Sequence, residues 1–303
     1  MQIYFLYPVK LIVSILSILV FQSYCQVLDN TRGEAFTDKP FFNQQFIKEN
    51  KLKQITGTYV YKKKNDQMRE TEFHYTYNFD RDGRLVSTYE TRTDDGTKDT
   101  TWNLYTYDQN NNLSSYSRTD QEGLNIINYQ YDSIGRVTEK EYLREYEESD
   151  SLSTARSLMF NHERFSYVDY DRQTKCTHYN SYDLPYMDEY FNYNDLGYLV
   201  ERIERIKMTS TIYTYTYEYN ELGQLGAIRK HSNLQEEALE EFEFEYDELG
   251  NLSEKRINRN GVFVTEIQVI YNSKSKLLAT TITRQVSTGF LMILRFRDYM
   301  FYD

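Results

Sequence analysis

Four histidines, two cysteines and 46 carboxylates are the residues of this 303-residue chain able to move a proton, attack a carbonyl or hold a metal. His74, His162, His178 and His231 are dispersed over separate segments, and no pair shows His-x-x-x-His or Cys-x-x-Cys spacing. A zinc site is therefore not expected. The run Asn78-x-Asp80-x-Asp82-Gly83 matches the first half of a calcium loop, but Tyr89 stands where a bidentate Glu is required. Two carboxylates flanking a glycosidic bond can serve as acid and base. No pair of Asp or Glu stands out here from a regular polar background. Gly-x-Ser-x-Gly, a phosphate loop and a dinucleotide fingerprint are all missing. The chain reads as non-enzymatic, with no cofactor and no metal.

What remains is aromatic surface. Tyr supplies 31 residues and Phe 17. Tyr213, Tyr215, Tyr217 and Tyr219 share one parity, while Thr214, Thr216 and Glu218 hold the other. Phe242, Phe244 and Tyr246 alternate with Glu241, Glu243 and Glu245, and Phe191 and Tyr193 lie one repeat earlier. Such rings could stack on a sugar or an extended peptide. Tyr213, Tyr215, Tyr217, Tyr219, Phe242 and Phe244 are the candidate stacking residues. The competing reading is that they form core.

Period two means a β-strand with one aromatic and one wet face. The strands are punctuated by a repeated phrase: aromatic, Asp or Asn, two variable residues, Gly, one variable, aliphatic. Five full copies place glycines at Gly83, Gly135, Gly197, Gly223 and Gly250. Three more, starting at Tyr107, Tyr170 and Tyr271, have Asn111, Thr174 and Ser275 at that position. The phrase fits a three-residue hairpin loop with a bulge, in which Asn220 pairs with Gln224 and Tyr219 sits opposite Leu225. Looser turns such as Asn258–Gly261 fall halfway between copies. The period is about 26 residues, with one insertion near Glu145–Ser157. From Gln54 onward this predicts an all-β antiparallel meander of about 18 strands, curled into a barrel-like or spiral sheet. Glu236–Glu241 reads as a hairpin end and strand start. Phe41–Asn50, after Pro40, has helical spacing and reads as a short helix covering one open end of the sheet.

Composition excludes several classes. A net charge of −11 argues against nucleic acid. The aromatic content is too high for disorder, and two Cys make no disulfide framework. Lys10 followed by the apolar run Leu11–Phe21 matches a signal peptide, shorter than a membrane span. Ser23-Tyr24-Cys25 supports cleavage after Cys25; lipidation at Cys25 is the alternative. The expected organisation is a signal peptide over 1–25, an extension with a short helix over 26–52, and one β domain over 53–303. No transmembrane segment is expected after signal removal.

Tyr-Asp-x-x-Gly-x-Leu at this period resembles the YD repeats of Rhs-type proteins. The short secreted form also looks like porin-like barrel domains of unknown function in Bacteroidetes secretomes. The resemblance spans about residues 70–280 and implies a shell or scaffold. The Asp-Pro dipeptide that marks self-cleavage in large Rhs proteins is absent, so encapsulation of a toxin is not expected. The combined reading is a secreted or periplasmic scaffold or binding module whose partner is a glycan or surface protein. A secreted polysaccharide hydrolase is the first alternative. An outer-membrane barrel is the second, weakened because lipid-facing positions need Leu, Val or Phe.

Overall fold

A computed structural model describes residues 26–94, 97–120, 122–146 and 156–303. The expected signal segment and most of the Glu145–Ser157 insertion lie outside the described residues. The strands run β1 Leu52–Lys62, β2 Arg69–Phe79, β3 Leu85–Asp94, β4 Thr97–Tyr107, β5 Leu113–Asp120 and β6 Gly123–Tyr131. They continue with β7 Val137–Tyr146, β8 Arg156–Asp169, β9 Gln173–Tyr179, β10 Pro185–Tyr193, β11 Leu199–Ile206 and β12 Ile212–Tyr219. The last six are β13 Leu225–Ser232, β14 Gln235–Tyr246, β15 Leu252–Arg259, β16 Val262–Tyr271, β17 Leu278–Gln285 and β18 Phe290–Phe301. Each pairs antiparallel with its sequence neighbours, and β1 also pairs with β18, as at Val60↔Ile293. Every strand thus has two partners and the sheet is a closed barrel, which removes its edges. A spiral with a free aromatic face is ruled out.

The turns follow from the phrase. The backbone N–H of Asn220 donates to the Gln224 carbonyl at 2.9 Å, and that of Gly223 to Asn220 at 2.9 Å. The Asn220 side chain accepts from the backbone of Leu222 and Gln224. Asp80 does the same for Asp82 and Arg84 and pairs with the Arg84 guanidinium. The half calcium loop is therefore a turn whose carboxylate is already committed.

The phrase carries a second bond that explains its Tyr. The hydroxyls of Tyr107, Tyr131, Tyr219, Tyr246 and Tyr271 donate to the carbonyls of Leu85, Leu113, Leu199, Leu225 and Leu252 at 2.7–2.9 Å. Those five copies are thereby each latched to the aliphatic end of the copy before. The first copy has no predecessor and carries Phe79, whose own carbonyl accepts from Tyr302.

Two copies differ from the expected register. Around Tyr170 the latch is Tyr167, donating to the Val137 carbonyl at 2.8 Å. Tyr170 instead opens a tight turn to Gln173, and Thr174 is a strand residue opposite Asp169. In the last copy the positive φ falls on Lys276 rather than Ser275, because the loop is one residue longer.

Gly83 and Gly197 have the same φ of 82° but different surroundings. A Cβ on Gly83 would lie 2.2 Å from the Gln44 carbonyl oxygen, while one on Gly197 meets nothing within 4 Å. Gly197→Val should cost about 1–3 kcal/mol from backbone strain alone. Gly83→Val should add about 1–3 kcal/mol of overlap. Denaturant melts of the two variants check this, and equal costs would refute the contact.

The segment before the barrel enters it. Among its described residues only Gln44–Glu49 is helical (α1), with the Asn43 side chain capping Phe46 N–H at 3.1 Å. Phe41 and Phe42 stay outside the helix expected over Phe41–Asn50. Phe42 bridges to Leu28, and its ring sits 4.8 Å from Tyr77 and 4.9 Å from Phe79. Val27, Leu28, Ala35, Phe46 and Ile47 join the same buried cluster as Ile55, Leu225, Leu252 and Phe296 of the wall. From the wall, Lys255 Nζ donates to the Ala35 carbonyl at 2.8 Å and Tyr105 hydroxyl to that of Asp38 at 2.9 Å. Residues 27–47 are a plug, seated against the turn end of the lumen at Gly83.

Candidate functional site

Register fixes which side chains face the lumen. Tyr213, Tyr215, Tyr217 and Tyr219 point inward with Ile228, Phe242 and Phe244 of the next strands. The candidate stacking residues are thus brought together, but as barrel lining and not as an open groove. Tyr217, Tyr219, Phe242 and Phe244 pack on the plug cluster. Tyr213 and Tyr215 meet cations instead: Arg202 lies 3.9 Å over the Tyr215 ring, and Lys230 4.7 Å over that of Tyr213.

Above the plug is a cavity of about 560 Å³, partly open to solvent. Its floor is Phe36 and Phe41, and its walls include Tyr59, Tyr75, Glu90 and Arg118. Tyr59 hydroxyl donates to Glu90 Oε1 at 2.8 Å, and Arg118 pairs with Asp38 of the plug at 3.1 Å. Asn103 donates to Thr88 Oγ1 at 2.8 Å and accepts from Tyr116 hydroxyl at 2.9 Å. Burial pushes the Tyr75 phenol up to about 12 and, with Glu90 beside it, holds that of Tyr59 well above its ordinary value. Both remain hydrogen-bond donors at neutral pH. Size and lining match ligand pockets, typically ~300–1,000 Å³ with aromatic walls and few polar groups.

The opposite wall carries charge that alternation in the clean repeats did not reveal. Cys176 on β9 pairs directly with Glu189 on β10, and His178 is two residues further along the same face. His178 Nε2 lies 2.9 Å from Glu189 Oε2. Arg202 Nε lies 3.5 Å from Glu189 Oε1, and Arg202 Nη2 3.2 Å from Glu204. Glu163 accepts the hydroxyls of Tyr142 at 2.7 Å and Tyr186 at 2.5 Å. The Cys176 thiol is pushed up to about 12 by burial, whereas a nucleophilic cysteine needs a lowered value. His162 and His231 stand on other strands, apart from this group.

The fold can be set beside solved structures. A porin-like protein from Bacteroides uniformis is 11% identical, covers 84% of this chain and 97% of its own, and gives a TM-score of 0.34. One from Bacteroides vulgatus is 9% identical over 79% of this chain and 96% of its own, with a TM-score of 0.31. A TcdB2–TccC3 structure is 11% identical over 77% of this chain but 15% of its own, at 0.18. Likeness at this level carries no functional argument. No protein-family model and no curated protein matches the chain.

Sequence reasoning passed over Glu90, Glu163, Glu189, Arg202 and Glu204. The available signal was parity: Met187, Glu189, Phe191 and Tyr193 alternate as the clean strands do, with a carboxylate among the apolar residues. Cys176-x-His178 likewise places both side chains on one face.

Proposed function

We propose that the protein is a non-catalytic binding barrel of the cell envelope or exterior that holds a carbohydrate in the lumen above its plug. The observation that carries this reading is the cavity floored by Phe36 and Phe41, where rings stand beside Glu90, Asn103 and Arg118. Rings stack on sugar faces while carboxylate, amide and guanidinium groups bond hydroxyls. Four lumen carboxylates have a phenol or imidazole partner: Tyr59 for Glu90, Tyr142 and Tyr186 for Glu163, His178 for Glu189, Tyr215 for Glu204. That pairing favours binding over acid–base hydrolysis.

The outer wall favours water over lipid. Arg229 pairs there with Glu218 and Glu241, Arg256 with Glu245 and Glu254, and Arg284 with Glu266. Charges at lipid-facing positions cost about 2–4 kcal/mol each at mid-membrane for Arg or Lys. The apolar run Leu11–Phe21 is the support for export.

The test is a glycan-array and calorimetric screen of the protein and of Thr283→Phe, which fills the cavity from β17. Binding by the native chain that falls by roughly 10-fold or more in a stably folded variant supports the reading. Binding that survives the filled cavity, binding only to extended peptides, or turnover of a glycan would overturn it.

A further inference from the structure

We propose that Cys176, His178 and Glu189 form a site for one zinc-like divalent cation on the lumen wall. The thiol sulfur, an imidazole nitrogen and a carboxylate oxygen all lie within 4.8 Å of one another. Thiolate, imidazole and carboxylate are the three protein donor types zinc accepts, at about 2.0–2.3 Å from the ion. Tetrahedral ligands at those lengths stand about 3.3–3.6 Å apart, so the group needs only small side-chain movements to close on an ion.

The backbone positions the set. Cys176 and Glu189 are directly opposed across the β9–β10 ladder, and His178 follows Cys176 at the strand period. The imidazole is held edge-on against Phe165 at 4.8 Å, with Tyr186 at 6.0 Å. Glu189 turns Oε1 toward Arg202 and Oε2 toward His178, so the second oxygen is already aimed at the other donors. The Arg202 charge beside Oε1 keeps that oxygen on the far side from the donors. A bound thiolate and carboxylate together carry the charge a divalent ion neutralises, and coordination displaces the thiol proton to water. Three protein donors leave a fourth position toward the lumen for water. The inference stands apart from the carbohydrate pocket, which uses other strands.

The test uses the full chain with Cys25→Ser, so that Cys176 is the one thiol. Zinc is titrated in competition with a chromophoric chelator, and cobalt(II) is added as a spectroscopic probe. The expected result is one equivalent bound, with a near-ultraviolet thiolate-to-cobalt band that vanishes in Cys176→Ser. His178→Ala and Glu189→Gln should weaken zinc by more than the roughly 10–100-fold typical of losing an outer partner. Should the variants fail to fold, the cobalt spectrum of the parent decides alone. A parent without the thiolate band, or folded variants with undiminished affinity, would overturn the site.

Discussion

Raising the pH from 8 should first stabilise the protein and then, above about pH 10, unfold it. The first limb comes from Lys255. It is 3% exposed, and burial lowers its pKa to about 8, while an unfolded lysine titrates near 10.4. Between those values the unfolded chain binds more protons, so stability rises with pH, by roughly 3 kcal/mol in all. The second limb comes from phenols. Burial raises Tyr75, Tyr116 and Tyr131 to about 12, and raises Tyr59, Tyr77, Tyr105 and Tyr271 as well. Unfolded tyrosines ionise near 10. Their stabilisation is complete below that pH and is lost as pH climbs through the folded values, each deeply buried phenol removing about 1.4 kcal/mol per unit. Urea midpoints against pH, with tyrosinate absorbance, give the measurement. A midpoint that falls steadily from pH 8 would contradict the Lys255 limb, as would a Lys255→Met profile keeping the rise. Free-tyrosine titration in a still-folded barrel would contradict the second.

Phe42→Ala should destabilise by about 3–5 kcal/mol, the usual cost of removing a core Phe. The ring is 8% exposed and lies 5.0 Å from Phe41, 4.8 Å from Tyr77 and 4.9 Å from Phe79. Those distances span plug and wall, so the loss includes the packing that joins them. Ile134→Ala is the control: its side chain is 71% exposed on a turn, and the change should stay within about 0.5 kcal/mol. Equilibrium denaturation separates the two. A Phe42→Ala cost near the control would mean the plug unfolds independently of the barrel.

Strand number, turn positions and face parity were legible because they are local. Tyr213 through Tyr219 encode a pleat, and Asn220 with Gly223 encodes its turn, without reference to distant residues. Closure was not legible, since nothing in the vicinity of Val60 or Ile293 announces that they meet. Phe41, Phe42, Phe46 and Ile47 announced an apolar face, but only the wall's Tyr77 and Phe79 turn that face into a plug. The copy at Tyr170 was misread because Tyr-Asp occurs there by type, while the latch bond selects Tyr167. The charged lumen wall stayed hidden because it lies on β7–β11, where the aromatic alternation is diluted by Glu163, Glu189 and Arg202.

The latch that joins five of the copies to the one before makes the hairpin, and not the strand, the unit of circumference. A meander closes on itself antiparallel only when its strand number is even, as the eighteen here allow. Duplicating or deleting one phrase changes that number by two and keeps the parity. The new tyrosine finds the carbonyl of whichever copy precedes it, so the ring can be widened or narrowed in whole hairpins without redesigning the seam. What does not scale is the plug, whose rings are cut to one diameter. In a lineage built this way the wall is free to drift in size, and the residues ahead of β1 are the part that must be refitted each time.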